Sequence, residues 1–169
     1  IEDDILGNDD DLVKISIISQ QLDENSLFIC GGQEGLLSRK YQYGKKTNIE
    51  NVYELIKFSY KHIQRTCCYV ITDKSAKTIL KHQENHLTLA DKWDEFFSTA
   101  DPNMKIYYSS ILSHPLDLKN SHIEQDRAKF KNKTILQKII SPNFPLKLWK
   151  KFCNELMAYY YSLMRFKKL

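Results

Sequence analysis

All five glycines of this 169-residue chain, Gly7, Gly31, Gly32, Gly35 and Gly44, fall within its first 44 residues. Tight hairpin turns need residues at positive φ, a conformation that glycine adopts freely and most other residues avoid. Any such turn after Gly44 must therefore use Asn or Asp, so the later chain is expected to be built from helices and loops rather than β-hairpins. Apolar residues make up 42% of the chain and charged residues 27%, a globular composition rather than a disordered or fibrous one. A chain of about 150 residues buries roughly 70% of its unfolded surface, enough for one core.

The periodicity suggests an order of elements. Leu12–Ser19 is rich in β-branched residues and partly alternating, and Leu27–Cys30 is a second apolar run, so both read as strands joined by a hairpin through Asp23-Glu24-Asn25. Asn48 is placed to cap a helix over Asn48–Ile63, with apolar residues mostly three and four apart. Thr66–Thr72 is a continuous apolar run, expected at the centre of a sheet covered on both faces. A helix over Ser75–Phe97 follows, ended by Asp101-Pro102, and Met104–Leu112 reads as a further strand. This alternation of strand and helix suits a crossover unit with parallel pairing. After Pro115 comes a polar, basic stretch, with a short helix expected around Ile135–Ile140.

Phe144–Phe166 carries the clearest period in the chain. Trp149, Cys153, Leu156, Tyr160 and Leu163 alternate four and three apart, with Lys147, Lys151, Asn154, Ala158, Arg165 and Lys168 on the other side. Leu148, Phe152, Met157, Tyr159, Met164 and Phe166 widen the apolar stripe. An apolar surface of that width must be covered by more than one element, or by a partner.

Charge is sorted along the chain. Residues 1–24 hold eight acidic side chains and one basic, whereas residues 25–169 hold 24 basic and 13 acidic. Such blocks either pair with each other or face different partners. Residues 1–11 read most simply as a mobile solvated tail and, in the sharper reading, as an acidic arm with Ile1, Ile5 and Leu6 as anchors. Four cysteines without a Cys-x-x-Cys pair point to a reducing compartment, so an intracellular location, cytoplasm or nucleus, is expected. No apolar run reaches the ~18 residues needed to span a bilayer. The start at Ile1 suggests a fragment of a longer protein or a processed product.

Catalytic motifs are incomplete throughout. Cys30-Gly31-Gly32-Gln33-Glu34-Gly35 sits where a nucleotide-binding glycine loop would, but Cys30 replaces its first glycine and no strong helical pattern follows, so an ordinary turn is the simpler reading. Gly44-Lys45-Lys46-Thr47 fails the phosphate-loop pattern, with Arg39 and Lys46 at required positions. His82 and His86 lie one helical turn apart, near Asp91, Asp94 and Glu95, yet Gln83 stands where a zinc hydrolase needs glutamate. Cys67 and Cys68 are expected to be buried packing groups. His62, His114 and His122 are too scattered to serve a nucleophile. No catalytic residue, metal or cofactor is expected.

These observations predict an acidic N-terminal arm (1–11) and a single α/β domain (12–169). The domain has a mixed or mostly parallel sheet of four to five strands, flanking helices and a long amphipathic C-terminal helix. The function they favour is a non-catalytic protein–protein interaction module in a larger intracellular complex, its partner contacted by Trp149, Phe152, Tyr159, Tyr160 and Phe166. An alternative is a nucleic-acid-binding or nucleic-acid-processing subunit using Arg39, Lys40, Tyr41, Tyr43, Lys45 and Lys46, cations for phosphates and rings for stacking. A second basic group spans Lys119, Arg127, Lys129, Lys131, Lys133 and Lys138. A nucleotide-dependent enzyme built on Gly31–Gly35 is the third and weakest reading.

Overall fold

The computed structural model describes residues 5–89, 92–99, 101–115 and 144–169. Its elements are α1 (Asp9–Ser19), β1 (Ser26–Gly31), a 3₁₀ turn (Leu37–Tyr41), β2 (Tyr43–Lys46), β3 (Tyr53–Leu55), α2 (Lys57–Tyr60), β4 (Tyr69–Ile71), α3 (Asp73–Asn85), α4 (Trp93–Thr99), β5 (Lys105–Leu112), α5 (Phe144–Leu163) and β6 (Lys167–Lys168). The strands form one open mixed sheet in the order β4-β1-β5-β3-β2-β6. Among the described residues only β1 and β5 run parallel; the remaining pairs are antiparallel. The α/β class holds, with six strands instead of four or five and far less parallel pairing than a chain of crossover units would give.

Burial on both faces makes β1 the anchor of the sheet. Leu27 and Ile29 enter one core with Ile106, Tyr108, Tyr60, Trp93, Phe96 and Phe97, while Phe28 and Cys30 enter a second with Tyr107, Ile15 and Ile18. Alternate side chains of a strand point to opposite faces, so α2 and α4 cover one face and α1 the other. β4 sits at the edge, pairing antiparallel with β1, and Tyr69 is 40% exposed. The run Thr66–Thr72 is therefore not the sheet centre; its apolar residues pack against one neighbour strand rather than two.

Three further elements differ from the sequence pattern, each for a local reason. Leu12–Ser19 belongs to α1, because Asn8 accepts from the Asp11 N–H while Asp11 accepts from the Asn8 N–H, both at 3.0 Å, a reciprocal cap that starts a helix. Asp9, Asp10 and Asp11 form its first turn, where carboxylates oppose the positive end of the helix dipole. The boundary drawn at residue 11 falls inside this helix. Moreover, Leu6 exchanges both backbone hydrogen bonds with Ser113.

Asn48–Ile63 is not one helix: it holds the turn and second strand of the β2–β3 hairpin and then the short helix α2. Thr47 Oγ1 donates to the carbonyls of Ile49 and Val52 and accepts from the Ile49 N–H, and Asn51 takes φ 58°. Asparagine thus supplies the positive φ, as the missing glycines require, but it does so in the hairpin they were expected to exclude. Finally, Ser75–Phe97 is two helices. Gln83 folds back so that its amide brackets Thr88, donating to the Thr88 carbonyl and accepting from its N–H, which closes α3.

The short helix expected around Ile135–Ile140 and the basic group Lys119–Lys138 lie outside the described residues.

Candidate interaction surface

Helix α5 is mounted with its polar side inward. Ala158 is its one buried residue, at 8% exposure, and the residues flanking it on the same side carry the attachments. Lys61 Nζ donates to Asn154 Oδ1 at 2.9 Å, and the Tyr41 hydroxyl donates to Glu155 Oε1 at 2.7 Å. Lys40 pairs with the same carboxylate oxygen at 2.5 Å. Hydrogen bonds from Lys40 and then Tyr41 hold Glu155 below the usual carboxylate range, while burial is the main cause that raises Tyr41. Tyr161 lies against Phe58 and Tyr43, with ring centroids 5.4 and 6.3 Å apart.

The rest of the helix faces water. Successive residues turn by about 100°, so residues three and four apart share a side, and those on the side away from Ala158 are Trp149, Phe152, Leu156, Tyr159, Tyr160 and Leu163. All are exposed, with Trp149, Phe152 and Tyr159 at 63%, 59% and 65%. Trp149 and Phe152 rest on each other, ring centroids 5.9 Å apart. The sequence pattern located the apolar stripe and left open whether other elements or a partner cover it; the structure turns it outward, because Ala158, Asn154 and Glu155 match the polar and aromatic groups offered by the 3₁₀ turn and α2.

The helix ends at a backbone lock. Arg165 takes φ 59°, its N–H donates to Ser162 and the Phe166 N–H to Tyr161, a Schellman arrangement in which Phe166 packs on Tyr161 at 5.5 Å. Of the five predicted contact residues, Trp149, Phe152, Tyr159 and Tyr160 therefore share an exposed surface. Phe166 is half-buried in the cluster of Tyr41, Tyr43, Phe58 and Tyr161.

The basic and aromatic segment is dispersed. Tyr41 and Tyr43 are buried, Lys40 is paired with Glu155, and Arg39 Nε donates to the Leu169 main-chain oxygen at 3.3 Å. Lys45 lies over the Phe166 ring at 5.9 Å, and Lys46 is exposed. The rings that would stack on bases serve as the floor under α5.

The glycine loop has a packing explanation. Gly31 has φ 142°, and a Cβ there would run into the Leu112 carbonyl; at Gly32, φ 75°, it would sit 2.8 Å from Cys67 Sγ. Close approach of β5 and Cys67 thus demands these glycines. Behind them Gln33 and Gln42, both fully buried, bond each other; Gln33 also accepts from the Gln64 N–H and Gln42 donates to the His62 carbonyl. His62 is stacked against Tyr41 and Phe58, and burial, then the Lys61 charge, pushes it down to about 4.

His82 is buried, with Nε2 3.0 Å from Thr88 Oγ1 and its ring edge-on to Phe96. Cys30, Cys67 and Cys68 are buried. Among the described residues no group of three or more His, Cys, Asp or Glu is placed to hold a metal ion, and no helix is long and apolar enough to cross a membrane.

The sorted charges meet in part within the chain. Asp23 accepts from Lys105 Nζ and from the Tyr107 hydroxyl, both at 2.7 Å, which lowers the Asp23 carboxyl and, together with burial, raises Tyr107 to about 12.

Against protein-family models, curated proteins and solved structures alike, the chain finds no match.

Proposed function

We propose that the protein is a non-catalytic interaction module, a subunit or adaptor of a larger intracellular assembly, and that the outward side of α5 is its contact surface. The observation that carries this reading is the direction in which the helix is mounted: its attachment uses the polar side, leaving Trp149, Phe152, Leu156, Tyr159, Tyr160 and Leu163 on one face in water. Large aromatic residues gathered on one exposed helix face are what a partner groove takes up, with a few of them supplying most of the binding energy. Lys150 is exposed at the border of this face, about 100° around the helix from Trp149. The fitting partner is accordingly a protein with an apolar groove and a carboxylate at its edge. Nucleic-acid binding by Arg39–Lys46 has less support, since stacking needs rings that are accessible and Tyr41 and Tyr43 are buried.

The test is a Trp149→Glu, Phe152→Glu double variant. Its circular dichroism and denaturation midpoint are expected to stay at the wild-type values, while a stoichiometric partner that co-purifies with the wild-type chain from its own cells is lost. Retention of every such partner sinks the proposal, as does collapse of the isolated fold. Sedimentation of the pure chain over a wide concentration range separates a second copy from a different protein as the occupant.

A further inference from the structure

A second surface, away from the outward side of α5, has the chemistry of a ligand site. Lys14 from α1, Arg39 from the 3₁₀ turn, and Lys167 and Lys168 from β6 line one cavity of about 300 Å³, with Tyr108, Ser109 and Ser110 of β5 on its wall. Among the described residues that line it none is Asp or Glu, although the Glu34 carboxylate accepts from Ser110 on the wall. Residues of three separate elements, four of them cationic, thus line one small space, and like charges brought near each other repel unless an anion sits among them.

The wall they surround is irregular in a way that frees polar groups. β5 pairs with β1 at Ile29↔Tyr108 and next at Gly31↔Leu112, so Ser109, Ser110 and Ile111 stand opposite Cys30 alone. On its other side, the pairing of β5 with β3 runs through Glu54↔Tyr107 to Tyr53↔Tyr108 and no further. A bulge of this kind takes residues out of the ladder and re-aims them, and bulges recur beside binding sites. Tyr108 is 2% exposed, and its hydroxyl, although beside Ser110, has no partner in hydrogen-bonding geometry. Ser110 Oγ itself donates to Glu34 at 2.7 Å. The Tyr108 side chain itself packs in the core with Ile29 and Ile106, so the groups the cavity offers a ligand are those of its cationic rim. Arg39 is held in place by its bond to the Leu169 main-chain oxygen.

We propose that this cavity binds a small phosphate monoester, with Lys14, Arg39, Lys167 and Lys168 neutralising the dianion. Cations of this number exceed what one carboxylate requires, and guanidinium matches phosphate oxygens two at a time. The volume is at the small end of ligand sites, which suits a phosphate carrying a compact organic group.

The experiment is calorimetric titration of the full chain at constant ionic strength with inorganic phosphate, a three-carbon sugar phosphate, adenosine monophosphate and acetate. The three phosphates are expected to bind at least about tenfold more tightly than acetate, and their order tells whether a free or an esterified phosphate is preferred. Arg39→Gln and Lys168→Gln should each weaken binding about tenfold. Lys81→Gln, on α3 outside the cavity, should change nothing. Should Arg39→Gln disturb the fold, Lys14→Gln, on the exposed side of α1, reads the same contribution. Equal affinity for acetate, absence of binding, or binding unaffected by Lys14→Gln and Lys168→Gln overturns the assignment.

Discussion

Strand β1 and helix α5 are both strongly apolar, yet β1 is buried along its whole length, whereas α5 buries a single alanine. The difference lies in what surrounds each. β1 has strands on both sides and helices on both faces, so Leu27, Phe28, Ile29 and Cys30 have nowhere polar to go. α5 meets the 3₁₀ turn and α2, whose offered groups are Tyr41, Lys40, Lys61 and Phe58, and these select Glu155, Asn154 and Tyr161. Apolar content thus states how much surface must be covered, while the polar groups of the neighbours decide which side is presented to them.

The largest expected effect tests the first half of this contrast. Phe28→Ala, in the buried strand, should lower stability by about 3–5 kcal/mol in chemical denaturation, the usual cost of emptying a core ring site. A loss below about 1 kcal/mol would mean that β1 is not the anchor of the sheet.

Acid should loosen the floor under α5. His62 is held neutral there, its pKa pushed down to about 4 from an ordinary 6.5. The unfolded chain then binds a proton that the folded chain refuses, so stability is full above pH 6.5 and falls as the pH drops toward 4. The fall amounts to about 3 kcal/mol at most. Denaturation midpoints measured across that window should show the slope, and His62→Phe should flatten it.

Arg165→Gly should raise stability by about 1 kcal/mol or less, since glycine meets the positive φ of the helix lock without a Cβ penalty. A destabilised variant would indicate that the Arg165 side chain has a role of its own.

The smallest effect concerns the outward side of α5. Trp149→Ala and Phe152→Ala should shift the stability of the isolated chain by no more than about 0.5 kcal/mol. A cost comparable to that of Phe28→Ala would show that these rings are core residues and remove the contrast altogether.

Much of this was legible in the residues. Met104–Leu112 and Phe144–Phe166 were readable as strand and helix because each repeats one period over a long span, and the α/β class followed. The start of α1 was also written in the chain, in the spacing of Asn8 and Asp11, but the β-branched run after it masked that capping signal. The hairpin around Asn51 was hidden by chance: Ile49, Val52, Ile56 and Tyr60 step by three and four although they serve different layers. For the exposed side of α5, the sequence named four of the residues that face water, and it could not distinguish Phe166, whose inward turn follows from Arg165 at positive φ. The cationic cavity left no trace in any motif, since Lys14, Arg39 and Lys167 are separated by most of the chain.

By itself, the sequence determined which segments could take regular structure and how much apolar surface each would carry, because spacing and capping act between residues a few positions apart. Only the tertiary structure decided which strand is central, which side of α5 meets water and which cations share a cavity. Those outcomes depend on groups distant in the chain, and on the free energy of bringing them together in one particular arrangement.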